Sequence, residues 1–308
     1  MRVLVVGAGA TGGFFGARLA QAGRDVTFLL REKRAAEVRK SGLQVMSPHG
    51  DFSFQPNVIL AKDLTPTFDL ILLTVKSYAL AAALEDIAPA VGAGTAIMPI
   101  LNGMRHLGVI RERFGAEAPI GALCRVDATL DENGYIRQLS AIQQIVYGEI
   151  SGETTPRIQQ IDALFQNIGV AAKLSGDIMR DMWEKWLFLS SLGAIACLMR
   201  GNIGQVAAAE GGKAFATALI HEVAATMKAS GYVERKEMVD GIIHALTDEN
   251  SRQTSSMYRD MMAGLPVEAD QIIGHLVSLA ASHRLHTPLL NAAYTRLAVY
   301  QQNRVNAG

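Results

Sequence analysis

The chain opens with MRVLVVGAGATGG, residues 1–13, in which a short apolar run leads directly into glycines spaced as GxGxxG. The apolar run predicts a buried β-strand, and the glycines predict a tight turn from that strand into a helix. Gly7 permits the turn, Gly9 lets the backbone approach a pyrophosphate, and Gly12 lets the helix pack closely on the strand. A largely apolar helical run follows and ends at Gly23. The stretch therefore indicates a Rossmann-like dinucleotide-binding fold.

The second predicted strand, DVTFLL at residues 25–30, is followed by Arg31. Folds of this kind that bind NAD place an acidic residue here for the ribose hydroxyls, whereas a guanidinium suits the 2′-phosphate of NADP. Arg31 therefore predicts NADP(H) as the cofactor, with Lys33 and Arg34 as candidate helpers. The alternative is a solvated basic surface, and Glu32 lies inside the same cluster.

The composition favours a small-molecule partner. Among 308 residues, 29 Lys and Arg balance 29 Asp and Glu, which predicts neither nucleic-acid binding nor attachment to a membrane surface. Cys124 and Cys197 lack metal-ligand or disulfide spacing, so we expect no metal site and a reducing, cytoplasmic location. The longest apolar stretch, residues 186–199, is shorter than the roughly 20 residues that cross a bilayer, and no export signal is predicted.

Strand-like runs alternate with helical stretches up to about residue 174, which predicts an α/β domain. The run DLILLTV, residues 69–75, is apolar at successive positions and predicts a central strand covered on both faces. After residue 175 the apolar residues recur with helical spacing, as at Leu219, Val223 and Met227. The sequence thus predicts a Rossmann-like NADP-binding domain over 1–174 and an all-helical substrate domain over 175–308.

Two polar residues follow predicted strands of the first domain. Lys76 follows DLILLTV, and Asn102 follows TAIMPI. Ligands of open α/β sheets bind at the carboxyl ends of the strands, so Lys76 is a candidate for a cofactor phosphate or ribose. Asn102 is a candidate for the nicotinamide, the ribose or the substrate. The alternatives are a surface lysine and an ordinary Asn-Gly turn.

Lys185 lies near the predicted start of the most apolar helix. If its face is buried, desolvation would lower the lysine pKa and favour proton donation to a carbonyl that is being reduced. The alternative is a lysine at a helix end with its ammonium group in water. The residues predicted to share its face are apolar: Phe188, Leu189, Leu192 and Ala196.

Two further segments contain polar candidates with ordinary structural alternatives. After Pro266, Glu268 and Asp270 are expected in the first turn of a helix, where acidic side chains commonly complement the helix dipole. Ser255 and Ser256 are candidate helix caps.

Taken together, these segments resemble the ketopantoate reductase (2-dehydropantoate 2-reductase) family over nearly the whole chain. The resemblance implies that Lys185 is the catalytic proton donor and that Glu268 holds the substrate hydroxyl and the cofactor. The matching motifs, in chain order, are GAGATGG at 7–13, Arg31, TVKS at 74–77, LNG at 101–103, WEK at 183–185, SSM at 255–257 and VEAD at 267–270.

The same resemblance implies that Lys76 and Asn102 lie at the junction of cofactor and substrate, and that Ser256 contacts the substrate carboxylate. It also implies reduction of a 2-keto acid to a 2-hydroxy acid by NADPH, as in pantothenate biosynthesis. A cytoplasmic monomer or homodimer is expected.

The chain departs from the family pattern after the lysine. The family typically has asparagines four and eight residues after it, where this chain has Leu189 and Gly193. A site without those hydrogen bonds discriminates less for a substrate hydroxyl, which favours a related, less polar 2-oxo acid over ketopantoate itself. Two further hypotheses are an enzyme similar to β-hydroxyacid dehydrogenases and a non-catalytic NADP(H) sensor. Lys185 and Glu268 argue against the sensor.

Overall fold

The computed structural model describes residues 1–233 and 235–306, and the chain divides into two compact units. The N-terminal unit comprises Met1–Leu101 and His106–Asp181, and the C-terminal unit comprises Asn102–Arg105 and the chain from Met182 onward. The sequence places a boundary after residue 174, a few residues earlier.

Side-chain contacts explain why the segment before Met182 belongs to the N-terminal unit. The Ser175 hydroxyl donates a hydrogen bond to Asp181 Oδ2 over 2.6 Å. Ile178 packs against Gly121, where a methyl group would lie only 2.7 Å from the Ile178 Cγ2 atom. The first turn of the helix that begins at Ile178 is therefore anchored on the N-terminal unit.

The described part of the N-terminal unit contains two β-sheets. The strands are β1 (Arg2–Val6), β2 (Asp25–Leu29), β3 (Leu43–Met46), β4 (Phe52–Phe54), β5 (Asn57–Ile59), β6 (Leu70–Leu73), β7 (Ala96–Pro99), β8 (Gly121–Leu130), β9 (Ile136–Gly148) and β10 (Ala171–Leu174). The first sheet is entirely parallel, with strand order β5-β2-β1-β6-β7. The second has the order β10-β9-β3-β4, with β8 paired antiparallel to β9.

The first sheet aligns the carboxyl ends of its strands. Val6 at the end of β1 pairs with Leu29 of β2 and with Leu73 of β6, and Leu73 pairs with Pro99 of β7. The chain passes from β1 to β2 on one side and reaches β6 on the other, so β1 and β6 form a topological switch point. Ligands of such sheets bind outside the strand ends at this point.

Both faces of this sheet are buried, as the apolar runs predict. In β1, Val3 and Val5 face one hydrophobic core with Phe14, whereas Leu4 faces a second core with Ile71. All of β6 is buried. The middle position, however, belongs to β1, and β6 is the interior strand beside it.

Helices connect the strands of the two sheets. They are α1 (Ala10–Gln21), α2 (Glu32–Ser41), α3 (Leu80–Ile87), α4 (Arg105–Phe114) and α5 (Pro156–Phe165), with short 3-10 turns at Ala61–Asp63, Ser77–Ala79 and Ala88–Ala90.

The described part of the C-terminal unit is helical, which confirms the predicted all-helical domain. Its elements are α6 (Ile178–Met199, whose first turn belongs to the N-terminal unit), α7 (Ile203–Ala208), α8 (Gly212–Ala229), α9 (Lys236–Leu246), α10 (Ser256–Met262), a π-helical turn (Asp270–Gly274), α11 (His275–Ser282) and α12 (Pro288–Asn306).

Helix α12 begins at Pro288, and proline is favoured at the first position of a helix. Its first turn is capped from α8, because the Glu222 carboxylate accepts hydrogen bonds from the backbone N–H groups of Leu289 and Leu290. None of the described helices combines the length and the apolar character that a membrane crossing requires.

Candidate active site

The glycine turn after β1 leaves space for a ligand. Gly7 has φ +91° and donates its N–H to the Leu29 carbonyl over 3.0 Å. Gly9 precedes the first residue of α1, and neither a side-chain cap nor an acidic residue occupies that first turn. A methyl group at Gly7 or Gly9 would meet no described atom within 4 Å. Free N–H groups at a helix start, with open space beside them, fit the pyrophosphate of a dinucleotide.

Gly12 is required for close packing between the helix and two strand ends. A methyl group there would lie 2.1 Å from Thr74 Oγ1 and 2.6 Å from the Gly7 carbonyl oxygen. The Thr74 hydroxyl in turn donates to the Val6 carbonyl over 2.9 Å. Thr74 therefore joins the ends of β6 and β1 directly beside the glycine turn.

Arg31 is the N-cap residue of α2 and is exposed. Within residues 1–233 and 235–306, no hydrogen bond or ion pair engages its side chain. The candidate helper Arg34 is engaged elsewhere, since its guanidinium donates to the Gly134 carbonyl over 2.8 Å and pairs with Glu37. The guanidinium at the end of β2 that is available for a 2′-phosphate is thus that of Arg31.

Lys76 lies at the same edge of the sheet, shortly after β6. It is exposed and forms the N-cap of the 3-10 turn Ser77–Ala79, where its carbonyl accepts a hydrogen bond from the Ala79 N–H. The N-terminal unit therefore brings the candidate cofactor residues to the carboxyl ends of adjacent parallel strands: Gly7, Gly9 and Gly12 after β1, Arg31 after β2, and Lys76 after β6.

Lys185 lies inside helix α6, about two turns after the first residue, Ile178. The lysine therefore does not lie at a helix end, where the alternative placed it. Its side chain is half-buried. The preceding residue, Glu184, is buried and accepts a hydrogen bond from Arg235 Nε over 2.8 Å. One to three turns further along the helix, the same face consists of apolar residues. Leu189 is half-buried, and Leu192 and Ala196 are buried.

Trp186 connects the lysine helix to the segment that contains Glu268. Its side chain is 1% exposed, and its indole N–H donates to the Ile272 carbonyl over 2.9 Å. His275 stacks on the indole, with ring centroids 5.2 Å apart. Burial, with a smaller contribution from the charge of Arg105, lowers the pKa of His275. His275 therefore packs as a neutral ring at pH 7.

Glu268 is 7% exposed and lies immediately before the helix, where its carbonyl accepts from the Ile272 N–H over 3.1 Å. The expectation that both acids lie in the first turn is therefore correct for Asp270 alone. Asp270 accepts a hydrogen bond from the Tyr294 hydroxyl over 2.7 Å. The π-helical turn Asp270–Gly274 follows directly, and such turns are common at functional sites.

The Asn102–Gly103 turn is held by the same π-helical turn. Gln271 Nε2 donates to the Asn102 carbonyl over 3.1 Å. Gly103 has φ +80°, and a methyl group there would lie 2.7 Å from the Gln271 carbonyl oxygen. The backbone contact fixes the position of Asn102 and uses its carbonyl rather than its side-chain amide.

The two adjacent serines have different positions. Ser255 is buried and caps α10, because its hydroxyl accepts from the Tyr258 N–H over 2.9 Å. Ser256 is exposed. Of the two serines that the sequence offers as helix caps, Ser255 is thus the one that caps α10. Ser256 remains the candidate for contact with a substrate carboxylate.

Neither chemistry at the Cys197 thiol nor a metal site is supported by the described residues. Cys197 is buried, and burial raises the pKa of its thiol to about 12, so the thiol stays protonated near neutral pH. Residues 1–233 and 235–306 contain no cluster of three His, Cys, Asp or Glu side chains that could hold a metal ion.

Sequence reasoning missed three residues that organise the site: Thr74, Trp186 and Gln271. Thr74 begins the motif TVKS, and Trp186 directly follows the motif WEK. Gln271 is the one amide in the otherwise apolar QIIG. A polar residue in an apolar segment is the signal that could have identified it.

A parallel dinucleotide-binding sheet with a glycine turn, followed by a helical unit with a lysine inside an apolar helix, defines a class of dinucleotide-dependent oxidoreductases. Within that class, the chain belongs to the ketopantoate reductase family. The family model Ketopantoate reductase PanE/ApbA matches residues 3–152, and its C-terminal model matches residues 177–301. Family membership implies a nicotinamide dinucleotide cofactor, which the glycine turn fits.

Individual proteins agree with this assignment. The chain is 35% identical to the uncharacterized oxidoreductase YkpB of Bacillus subtilis, over 99% of this chain and 100% of that protein. It is 28% identical to a 2-dehydropantoate 2-reductase of Mesorhizobium japonicum, over 97% and 98% of the two chains. The crystal structure of 2-dehydropantoate 2-reductase from Geobacter metallireducens superposes with a TM-score of 0.86, at 28% identity over 97% of this chain and 99% of that one.

Proposed function

We propose that this protein catalyses the NADPH-dependent reduction of a 2-keto acid to the corresponding 2-hydroxy acid. The observation that carries the proposal is the hydrogen bond from Trp186 to the Ile272 carbonyl, which joins the helix of Lys185 to the turn that follows Glu268. A proton donor and a carboxylate on two connected elements suit reduction of a carbonyl.

When it is bound, the nicotinamide supplies a hydride to the carbonyl carbon. Lys185 Nζ donates a proton to the carbonyl oxygen, so the C=O group becomes CH–OH and the lysine becomes neutral until solvent reprotonates it. The Glu268 carboxylate accepts a hydrogen bond from the new hydroxyl. Ser256 donates to the substrate carboxylate, and Asn102 binds at the junction of substrate and cofactor.

The preference for NADPH over NADH rests on Arg31. Its exposed guanidinium follows β2 and has no partner within the described residues. A guanidinium binds a phosphate through two parallel hydrogen bonds. Between Asp25 and Arg31 the sequence has no acidic side chain of the kind that binds the ribose hydroxyls of NAD. Lys76 adds a second positive charge at the same edge of the sheet for a cofactor phosphate or ribose.

The cellular setting is part of the proposal. The balanced charge favours a small-molecule substrate over nucleic acid or a membrane surface. We place the protein in the cytoplasm, as a monomer or homodimer. Its contribution to pantothenate biosynthesis depends on whether ketopantoate is the 2-keto acid that it reduces.

The test is turnover by the purified wild-type protein. Loss of NADPH absorbance is followed with a panel of 2-keto acids, and each acid is repeated with NADH. The proposal predicts turnover of at least one acid, with higher kcat/KM for NADPH. Tight NADPH binding without turnover of any acid would contradict it and favour a non-catalytic NADP(H) sensor.

A further inference from the structure

We infer that the 2-oxo acid reduced here has a purely apolar group beside its carbonyl, without a hydroxyl on that group. This inference rests on the proposed function, because it takes Lys185 as the residue that contacts the carbonyl oxygen. It concerns the surface next to Lys185 on helix α6, where Leu189 is partly accessible and the buried Met257 side chain fills the space over Gly193.

Leu189 lies one helical turn after Lys185, and residues four apart on a helix are neighbours about 5–6 Å apart at Cβ. Its side chain is half-buried, so part of it remains accessible beside the lysine. A substrate whose carbonyl oxygen meets Lys185 Nζ therefore places its adjacent carbon substituents against the Leu189 side chain.

Met257, which is 3% exposed, closes the space beyond Leu189. Gly193 lies one turn after Leu189, and a methyl group on Gly193 would be 2.8 Å from the Met257 Cε atom. The methionine methyl thus occupies the space that a larger residue at 193 would fill. Because Met257 follows Ser256 directly, the same short segment contains the proposed carboxylate contact and this apolar contact.

The polar side chains that follow Lys185 on helix α6 supply no hydrogen-bond partner for a substrate hydroxyl at this surface. From Trp186 to Ala196, the side chains with polar atoms are those of Trp186, Ser190 and Ser191. The indole N–H bonds to the Ile272 carbonyl, and the Ser190 hydroxyl donates to the Trp186 carbonyl over 2.7 Å. Ser191 is fully buried and lies about 120° around the helix from Lys185 at about 100° per residue.

Ser255, the nearest hydroxyl to Gly193 in the neighbouring segment, is also engaged. It lies 3.9 Å from the position of a methyl group on Gly193, but it caps α10 and hydrogen-bonds with the Cys197 thiol. A hydroxyl on the substrate group next to the carbonyl would thus lose its bonds to water against Leu189. A buried hydroxyl without a partner is unfavourable.

The test is a matched pair of substrates with one carbon skeleton. One is 3,3-dimethyl-2-oxobutanoate, and the other is its 4-hydroxy derivative, 2-dehydropantoate. With the wild-type protein and NADPH, we expect kcat/KM to be about 10- to 100-fold higher for the acid without the hydroxyl, the range in which an apolar pocket disfavours an added hydroxyl. Equal values, or a preference for the hydroxylated acid, would overturn this inference and leave the proposed reduction intact.

If the proposed function itself is wrong, neither acid, nor any other 2-keto acid, will be reduced with NADPH or NADH. This result differs from every outcome of the paired-substrate test in which turnover is seen. A second measurement uses Leu189→Asn, with Leu189→Met as the volume-matched control. The asparagine should move the ratio of kcat/KM values toward the hydroxylated acid by about tenfold, the effect of one added hydrogen bond, and the methionine should leave the ratio unchanged. An unchanged ratio in a folded Leu189→Asn protein would contradict the placement of Leu189.

Discussion

The indole N–H of Trp186 donates a hydrogen bond to the Ile272 carbonyl over 2.9 Å, and both residues are buried. The bond joins the residue next to Lys185 to the π-helical turn that begins two residues after Glu268. The two residues to which the proposed chemistry assigns the proton donor and the carboxylate are therefore connected through one side chain.

Replacing Trp186 with Phe should reduce both stability and turnover. The substitution removes the N–H and leaves the Ile272 carbonyl without that partner, which costs about 1–3 kcal/mol of unfolding free energy. We expect kcat to fall more than KM rises, because the proton donor and the carboxylate lose their common anchor. Urea unfolding and steady-state kinetics check the two effects.

Trp183→Phe is the matched control for that variant. Trp183 stacks on Tyr232 at 5.9 Å and is half-buried in the same helix. It should change kcat far less than Trp186→Phe does. Equal losses of kcat in the two variants would show that aromatic packing, and not the hydrogen bond to Ile272, positions the site.

Gly12→Ala should impair cofactor binding. The added methyl group would lie 2.1 Å from Thr74 Oγ1 and 2.6 Å from the Gly7 carbonyl, so the turn must shift. We expect NADPH to bind at least about tenfold more weakly, since a shift of the turn misplaces the N–H groups proposed to hold the pyrophosphate. Gly108→Ala is the control, because a methyl group at that exposed position meets nothing within 4 Å. Unaltered NADPH affinity in Gly12→Ala, measured by titration calorimetry, would refute the assignment of the turn.

Arg31→Asp should reverse the cofactor preference. The carboxylate repels the 2′-phosphate and suits the ribose hydroxyls of NADH. The ratio of kcat/KM for NADPH to that for NADH should fall by about 100-fold, two charge-assisted hydrogen bonds being lost. Lys33→Asp, which changes the charge by the same amount at a nearby exposed position, should lower the ratio much less. Similar ratios in both variants would mean that Arg31 belongs to a general basic surface.

The Glu149–Arg157 pair should make stability depend on pH. Burial alone raises the pKa of Glu149, but hydrogen bonds from Arg157 and Thr155 outweigh it and lower the pKa. Because the folded pKa lies below the unfolded value of about 4.3, the stabilisation is present above about pH 4.3 and is lost as the pH falls through the folded pKa. Glu149→Gln should therefore lower the free energy of unfolding at pH 7, and the difference from wild type should shrink in acid. Urea unfolding across this pH range checks the trend, which a constant difference would contradict.

Much of the fold could be predicted because its signals are local. The spacing of Gly7 and Gly12 and the apolar run before them specify a strand, a turn and a helix within one short segment. The helical period at Leu219 and Val223 likewise identifies α8. The long hairpin of β8 and β9 was harder to predict, since polar and apolar residues are mixed in its outer part.

The contacts that organise the candidate site could not be predicted, because they join residues far apart in sequence. Trp186 and Ile272 are separated by 86 positions, and Gln271 and Asn102 by 169. Local pattern also misplaced Lys185: the apolar run begins next to it, whereas the helix begins at Ile178, where Ser175 and Asp181 stabilise the first turn.

Lys185→Ala tests most directly the proposed donation of a proton from Lys185 to the reduced carbonyl. With a 2-keto acid that the wild type reduces, kcat should fall by about 10²- to 10⁴-fold, the contribution of a general acid. NADPH affinity and the urea midpoint should stay close to those of the wild type. A kcat within about twofold of the wild type, a difference of less than about 1 kcal/mol in the barrier, would contradict the assignment of Lys185 as the proton donor.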